Sequence, residues 1–303
     1  MALNPLSNNH SDALKALLHS GVGAASGKSG SGFFYVSHLE GIKKEMKRVI
    51  KRSIHKLVNQ FGYSSHRTLH EYGDIAVELD DDDVDLIKYV LDRGYTMTSV
   101  ARLVNTLKSC RYVVENKIPG DFVECGVWRG GNSILAKRLF EQLDSNKSVW
   151  MFDTFEGMTA PTEYDVETHT KNYAGQKFED SQQDTHNDWC YASLEDVKNN
   201  CLNSKLKLDG LNFVKGDVSK TLVIKENLPK EISILRLDTD WYESTKSELE
   251  VLYPILSVSG VLIIDDYGYW EGARKAVDEY FSICDHKPLF NVIDHTGRSA
   301  IKL

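Results

Sequence analysis

Apolar residues recur along the chain with two different periods. Helical spacing, with apolar positions three or four residues apart, covers five stretches: 98–116, 132–143, 192–203, 243–257 and 271–282. Short apolar runs typical of strands lie at 121–125, 148–152, 212–214, 232–237 and 261–264, and two further strand-like pieces lie at 289–293 and 299–302. Strands that alternate with helices predict βαβ units and a mainly parallel sheet. The last two pieces are close enough to form an antiparallel hairpin at one edge.

The first 94 residues have a different pattern and predict an N-terminal extension, which leaves residues 95–303 as the α/β domain. Residues 21–32 are almost all Gly, Ala and Ser, the composition of a flexible segment. Apolar residues at four-residue steps, with Lys and Arg between them, predict an amphipathic helix over 39–60. We expect it to dock on the domain or on a second subunit rather than on a membrane. Four consecutive aspartates, 80–83, precede an apolar periodic segment and predict a helix cap rather than a calcium site.

Composition argues against several classes of protein. The chain carries 36 Lys and Arg against 44 Asp and Glu, and the net charge of −8 argues against binding to nucleic acid through phosphate contacts. No apolar run approaches the roughly 20 residues that span a bilayer, and the first ten residues do not resemble a secretory signal. Five cysteines without CxxC spacing argue against a disulfide framework or a structural zinc site. We therefore expect a cytoplasmic protein without a membrane span.

The first strand of the α/β domain ends in Glu124, followed by a glycine-containing turn and a helix start. The spacing from Glu124 through Gly126 to Gly130 is E-x-G-x-x-x-G, which differs from the dinucleotide pattern G-x-G-x-x-G. Glycines are needed where the backbone passes close to a ligand, and a pyrophosphate would be repelled by an anion such as Glu124. The motif therefore favours a ligand with a positive group, such as S-adenosylmethionine with its ammonium and sulfonium.

The next two strands end in further acidic residues. Asp153 lies 23 residues after Gly130, about where an acidic residue reaches the ribose hydroxyls in a Rossmann-like site. Asp217 and Val218 follow the third strand, in a position to border an adenine ring. A helix cap or loop aspartate is the alternative for Asp153, and a plain turn is the alternative for Asp217.

Three carboxylates follow the fourth and fifth strands. Asp238 comes after one strand, and Asp265 and Asp266 come after the other. Because adjacent parallel strands present their carboxyl ends at one edge of the sheet, these side chains would repel each other unless a positive group lies between them. Oxygen ligands without Cys or His nearby in sequence suit a hard cation, Mg²⁺ before Zn²⁺. Two unrelated helix caps are the alternative.

Four segments, in their order and spacing, resemble the macrocin/mycinamicin/novobiocin-type O-methyltransferases over roughly residues 95–300: VECGVWRGGNS, MFDTFEGM, LRLDTDWYEST and LIIDDYG. The resemblance implies a Rossmann-like class I methyltransferase fold, with a mostly parallel seven-stranded sheet, helices on both faces and an antiparallel C-terminal edge strand. It implies an enzyme that uses S-adenosylmethionine and Mg²⁺ to methylate a hydroxyl group of a sugar or of a related secondary metabolite. It also implies a homo-oligomer, a dimer or higher, in which the N-terminal extension helps to cover the active site.

The resemblance further implies roles for individual residues. Asp240 corresponds to a general base, and His186 corresponds to a second candidate base or a residue that orients the acceptor; we favour Asp240 because a strand end is rigid. The polar segment 156–190 would then be a mobile lid over the site. The implied metal ligands are Asp238, Asp265 and Asp266. The implied cofactor contacts are Met97, Thr98, Glu124, Gly126, Gly130, Ser133, Asp153, Asp217, Val218 and Asp238.

Two other functions stay open on the sequence. Asp238-Thr239-Asp240 is a DxD sequence, which in metal-dependent glycosyltransferases holds a metal on a nucleotide diphosphate. That interpretation gives Glu124 no role and needs more basic residues around the diphosphate. A cofactor-binding scaffold without turnover is the second alternative, against which the intact set of carboxylates argues. The acceptor, a small molecule with a hydroxyl group, is not identified by the sequence.

Overall fold

The structure, a computed structural model, describes residues 76–303. The Gly/Ser-rich segment and the amphipathic helix expected at 39–60 lie outside these residues. The described helices are α1 (Asp81–Asp92), α2 (Val100–Glu115), α3 (Gly131–Gln142), α4 (Gly175–Asp180), α5 (Leu194–Asn203), α6 (Val218–Thr221), α7 (Tyr242–Leu252) and α8 (Glu271–Ser282), with a 3-10 turn at Lys225–Asn227. The strands are β1 (Asp121–Cys125), β2 (Val149–Asp153), β3 (Leu211–Lys215), β4 (Ile232–Leu237), β5 (Leu256–Ile264), β6 (Asn291–Val292) and β7 (Arg298–Ile301). None of these helices is long and apolar enough to cross a membrane.

The seven strands form one sheet in the order β3-β2-β1-β4-β5-β7-β6. The first five strands of this order pair in parallel, and β7 runs antiparallel to both β5 and β6. The predicted parallel sheet with an antiparallel hairpin at its C-terminal edge is therefore confirmed. Because β1 and β4 are neighbours, successive connections leave this central pair toward opposite edges of the sheet.

The central strands of the sheet are buried on both faces, as their nearly continuous apolar sequences predict. Alternate residues of β1 point to opposite faces, so Phe122 packs in one hydrophobic cluster with α2 and α3. Val123 packs in the other cluster with residues of α7 and α8, including Leu249 and Val277. The predicted layers of helices on both faces are confirmed.

The acidic run before α1 forms a helix cap, as predicted. Asp80 accepts from the backbone N–H of Asp83 at 3.0 Å, and the Asp83 side chain accepts from Asp80 N, so the two complete a capping box. Ile87 and Val90 of α1 are buried in the cluster that contains α2 and β1. The twelve-residue helix α1, which the sequence assigns to the N-terminal extension, thus packs into the same hydrophobic core as the sheet.

One predicted boundary is wrong at the start of β5. The helix predicted over 243–257 ends at Leu252, and β5 begins at Leu256 rather than at position 261. Pro254 has no N–H with which to continue the helix. Lys302 Nζ then donates to three carbonyl oxygens at this corner, at 2.9, 3.1 and 2.6 Å. The lysine lies about fifty residues further along the chain, so this contact is not visible in the local sequence pattern.

Candidate active site

A cavity lies at the carboxyl ends of the parallel strands, beside the point where β1 and β4 meet. Ligands bind at such reversal points in open α/β sheets. The predicted site residues that line the cavity are Met97, Thr98, Glu124, Gly126, Asp153, Asp217, Val218, Asp238, Asp240, Asp265 and Asp266. The predicted residues Gly130, Ser133 and His186 do not line it.

Gly126 closes the turn after β1 against the end of β4. Its φ is 80°, in the left-handed region, and a Cβ built there would lie 1.9 Å from the Asp238 carbonyl oxygen. Asp238 N in turn donates to the Cys125 carbonyl at 2.9 Å. The glycine therefore lets the two strands end in contact, which brings Glu124 and Asp238 into one cavity.

We expect Gly126→Ala to lower the Tm of the protein strongly. The new methyl group must displace the backbone of Asp238, and the left-handed φ adds strain of about 1–2 kcal/mol. Gly94→Ala is the matched control, because Gly94 also has a positive φ of 61° but its Cβ would meet nothing closer than 3.6 Å. Equal losses of Tm in the two variants would show that the close contact at Gly126 is unimportant.

Glu124 is buried, and both of its oxygens are held inside the protein. Oε1 accepts from Arg236 Nη1 at 3.0 Å, and Oε2 accepts from the Ser133 hydroxyl. Burial raises the pKa of Glu124 to about 7, and the charge of Arg236 opposes this shift. Ser133, a predicted cofactor contact, thus orients Glu124 from the first turn of α3. Gly130 is the N-cap of that helix, with a φ of 86°.

Asp153 ends β2 and holds the turn after β1. Oδ2 accepts from the backbone N–H groups of Val127 and Trp128 at 2.8 and 3.1 Å, and Oδ1 accepts from Phe155 N at 2.7 Å. Burial raises the pKa of Asp153, while these backbone hydrogen bonds oppose the shift. The loop-aspartate role is therefore confirmed, and because the residue also lines the cavity, its contact with a ribose stays a prediction.

Asp217 follows β3 and is the N-cap of α6. Its Oδ1 accepts from the backbone N–H and the hydroxyl of Ser219 at 3.0 and 2.7 Å. Asp217 and Val218 line the cavity, but the carboxylate is engaged within its own turn. The adenine contact of these two residues stays a prediction.

A fully buried arginine, Arg236, joins the carboxylates at the ends of three strands. Its Nη1 donates to Glu124 of β1 at 3.0 Å and to Asp238 at 2.6 Å, and its Nη2 donates to Asp265 Oδ1. Arg236 was not among the site residues predicted from the sequence. The signal was a single charged side chain within the otherwise uncharged, mostly apolar strand ISILRL.

A second arginine, Arg102 of α2, contacts the same group of carboxylates. Its Nη1 donates to Asp265 Oδ2, and its Nε donates to Asp294 Oδ2 at 2.9 Å. Arg102 was not among the predicted site residues either, because a single arginine on an amphipathic helix resembles any surface arginine. Both oxygens of Asp265 are therefore engaged by a guanidinium.

The cluster of Asp238, Asp265 and Asp266 suits a divalent cation. One oxygen from each of the three lies within 4.8 Å of the others. Asp266 Oδ2 is buried and has no hydrogen-bond partner among the described residues. Burial and neighbouring carboxylates raise the pKa of Asp265 to about 7 and that of Asp266 well above its usual range. A hard cation would satisfy the unpaired oxygen and relieve the repulsion.

Asp240 lies two residues after Asp238, in an unusual backbone conformation. Its φ is 68°, a left-handed value that is uncommon outside glycine. Trp270 Nε1 donates to Asp240 Oδ1 at 3.2 Å. Burial and the charge of Asp238 raise the pKa of Asp240 to about 7. The structure therefore places a carboxylate of unusual basicity in the cavity, fixed by its backbone and by a tryptophan.

His186 is not brought to Asp240 by the structure. Its ring stacks on Tyr191 with centroids 4.1 Å apart, and its two nitrogens lie 3.1 Å from Thr185 Oγ1 and 3.0 Å from Asp188 Oδ1. From the same segment, the cavity is instead lined by Gly157, Met158, Thr159 and Cys190.

The polar segment 156–190 is tied to the domain at several points. Asp165 accepts from the backbone N–H of Tyr242 at 2.8 Å, and Trp241 Nε1 donates to the Thr159 carbonyl at 2.9 Å. Trp189 packs edge-on against Trp241, with centroids 5.4 Å apart. The segment thus forms one wall of the cavity, and its opening as a lid stays a prediction.

Comparisons with known proteins match this chain to one enzyme family. Residues 37–299 match the family described as Macrocin-O-methyltransferase (TylF). Demethyldecarbamoylnovobiocin O-methyltransferase from Streptomyces niveus is 35% identical over 208 residues, which are 67% of this chain and 74% of that protein. Mycinamicin III 3''-O-methyltransferase from Micromonospora griseorubida is 32% identical over 189 residues, which are 62% of this chain and 70% of that protein.

Solved structures agree with these matches. The O-methyltransferase NovP is 32% identical with a TM-score of 0.60, over 69% of this chain and 82% of that chain. CalS11, a calicheamicin methyltransferase, has a TM-score of 0.52 over 78% of this chain and 98% of that chain, and at 18% identity it supports the fold alone. The chain therefore belongs to the macrocin O-methyltransferase family and is an S-adenosylmethionine-dependent O-methyltransferase.

Proposed function

We propose that this O-methyltransferase requires Mg²⁺ and methylates a sugar hydroxyl of a glycosylated secondary metabolite. The relatives are named for acceptors such as demethyldecarbamoylnovobiocin, mycinamicin III and a rhamnosyl-tetracenomycin, which supports the acceptor class. The metal requirement rests on the unpaired Asp266 oxygen within the carboxylate cluster at the ends of β4 and β5.

The charge balance of the site supports a divalent cation. The three proposed ligands, together with Glu124 and Asp240, give five carboxylates, and the two arginines described above contact this group. If all five are ionised, three negative charges are left without a partner. Mg²⁺ carries two positive charges and S-adenosylmethionine carries a net charge of +1, so together they would offset the excess charge of these five groups. The two other carboxylates that line the cavity, Asp153 and Asp217, accept backbone hydrogen bonds within their own turns.

The residues of the site have separate roles in the proposed reaction. When bound by Asp238, Asp265 and Asp266, Mg²⁺ would supply a Lewis acid that lowers the pKa of the acceptor hydroxyl. Asp240 accepts the hydroxyl proton, and Trp270 Nε1 holds the Asp240 carboxylate in place. The methyl group passes from the sulfonium to the acceptor oxygen by in-line displacement, so positioning of the two reactants supplies much of the remaining rate.

The test is methyl transfer from labelled S-adenosylmethionine to demethyldecarbamoylnovobiocin and mycinamicin III, in excess EDTA and with Mg²⁺ added back. We expect transfer to a sugar oxygen of at least one glycoside, a loss of about 10²-fold or more in EDTA, and recovery with Mg²⁺. Full activity in excess EDTA would contradict the metal requirement. Transfer to a simple phenol such as catechol, with none to either glycoside, would contradict the acceptor class.

The glycosyltransferase alternative is wrong, because the chain belongs to a family of O-methyltransferases. In the proposed function, the DxD sequence supplies one metal ligand, Asp238, and the general base, Asp240.

A further inference from the structure

We infer that Arg102 binds the carboxylate of the methionyl part of S-adenosylmethionine, and that it makes the site specific for the amino-acid form of this cofactor. The inference concerns the cofactor alone and does not depend on the metal or the acceptor proposed above.

The cavity repels an anion along most of its wall. Seven carboxylates line it, from Glu124 at the end of β1 to Asp266 after β5. The methionyl carboxylate of the cofactor would be an eighth, and like charges within a few ångströms of each other are strongly unfavourable in a cavity of low dielectric constant. Arg102 is the only Lys, Arg or His among the described residues that line the cavity. The methionyl carboxylate therefore has a single charged partner here.

The guanidinium of Arg102 is held in position before any ligand enters. Its Nε donates to Asp294 Oδ2 at 2.9 Å, and Ser99, the N-cap of α2, donates to the same oxygen at 2.6 Å. Burial opposes ionisation of Asp294, but the hydrogen bond from Ser99 and the charge of Arg102 hold its pKa below the usual range. An ionised Asp294 anchors the arginine, and a side chain that is already fixed loses less entropy on binding.

The Nη2 group of the Arg102 guanidinium has no partner among the described residues and could bind a ligand. The hydrogen bonds of Arg102 within residues 76–303 use Nε and Nη1, and Nη2 has no acceptor there. The side chain is 15% exposed and lines the cavity, so a ligand in the cavity would lie beside it. A guanidinium pairs with a carboxylate through charge-assisted hydrogen bonds, which are among the stronger polar contacts in proteins.

The neighbouring polar side chain offers no equivalent partner. Thr98 also lines the cavity, but its hydroxyl donates to Asp265 Oδ1 at 3.5 Å and its backbone N–H donates to Thr96 Oγ1 at 3.1 Å. Thr98 is neutral, and both of its donors already have acceptors. Arg102 is therefore the residue with both the charge and the free donors that a carboxylate needs.

The test compares two ligands by calorimetry on the full-length chain: S-adenosylhomocysteine and its decarboxylated analogue, in which hydrogen replaces the methionyl carboxylate. The ratio of their Kd values is measured in the wild-type chain, in Arg102→Met and in Arg102→Gln, with saturating Mg²⁺ and again with EDTA. Each ratio compares two ligands on one protein. A general loss of cofactor affinity in a variant therefore raises both Kd values alike and leaves their ratio unchanged. Either variant is sufficient if the other fails to fold.

We expect the wild-type chain to prefer S-adenosylhomocysteine by about tenfold or more. In both Arg102 variants the Kd ratio should fall close to one. Arg111→Met is the matched control: Arg111 lies on the same helix and pairs with Asp83 instead of lining the cavity, so its variant should keep the wild-type ratio. A wild-type ratio near one, or a wild-type preference that persists in the Arg102 variants, would overturn the assignment.

Discussion

Asp266→Asn is expected to abolish methyl transfer and, at the same time, to raise the thermal stability of the metal-free protein. Asp266 Oδ2 is buried without a partner among the described residues, and the carboxylate lies beside Asp240 and Asp265. A neutral amide of the same shape removes repulsion between like charges, but it also removes an oxygen ligand that a hard cation needs. Functional sites often reduce the stability of the fold in this way.

Three measurements check this prediction. With an acceptor that supports turnover, kcat should fall by about 10²-fold or more. The Tm in EDTA should be higher than that of the wild-type chain. Mg²⁺ should raise the Tm of the wild-type chain more than that of the variant, because a ligand that binds only the native state stabilises it.

Glu248→Gln is the matched control, because Glu248 is a second buried carboxyl close to this end of the sheet. Its Oε2 also lacks a partner among the described residues, and burial raises its pKa well above the usual range, but Glu248 does not line the cavity. Thr239 Oγ1 donates to its Oε1 at 2.8 Å, a hydrogen bond that Gln can keep. We expect this variant to keep its turnover and its Mg²⁺-dependent gain in Tm. Equal losses in both variants, or normal turnover in Asp266→Asn, would show that Asp266 is not a metal ligand.

The sheet and the carboxylate cluster could be predicted because both depend on local sequence. Short apolar runs separated by helical periods identify parallel strands, and the carboxyl ends of such strands share one edge. Asp238, Asp265 and Asp266 each come directly after a strand, so their proximity follows once the strands are known to be neighbours.

The two arginines could not be placed in the same way. Arg236 carries a local signal, a charge between Leu235 and Leu237 in a buried strand, and the repulsion among the carboxylates makes such a counter-charge necessary. Arg102 carries none, because its contact with Asp265 joins positions 163 residues apart in the sequence. The sequence therefore predicted the acidic part of the site and missed the basic part.

Long segments without a period were predicted least well. The polar segment 156–190 was expected to bring His186 to the site, but hydrogen bonds to Asp188 and Thr185 and stacking on Tyr191 hold this ring elsewhere in the segment. Such contacts depend on the tertiary path of the loop, which neither propensity nor periodicity encodes.

Asp240→Asn is expected to lower kcat by about 10²–10⁴-fold, the usual scale of general-base catalysis, whereas His186→Ala should change kcat little. Burial raises the pKa of Asp240 to about 7, which makes it a better base than an ordinary carboxylate. A nearby Mg²⁺ would lower the pKa of Asp240 again. The same metal would also lower the pKa of the acceptor hydroxyl, so a weaker base could remove its proton. His186 has both ring nitrogens close to side chains of its own segment and does not line the cavity.

The measurement is kcat and KM for each variant with an acceptor that supports turnover, together with the Kd for S-adenosylhomocysteine. Asp240→Asn should leave the Kd near the wild-type value, because the chemistry is lost and the cofactor pocket is kept. Asp188→Asn is the matched control for His186→Ala, since Asp188 Oδ1 lies 3.0 Å from His186 Nε2 and its loss disturbs the same part of the segment. A near-normal kcat in Asp240→Asn, with a loss of about 10²-fold or more in His186→Ala that Asp188→Asn does not share, would make the histidine the base. The segment 156–190 would then have to move during turnover, because the structure holds His186 away from the cavity.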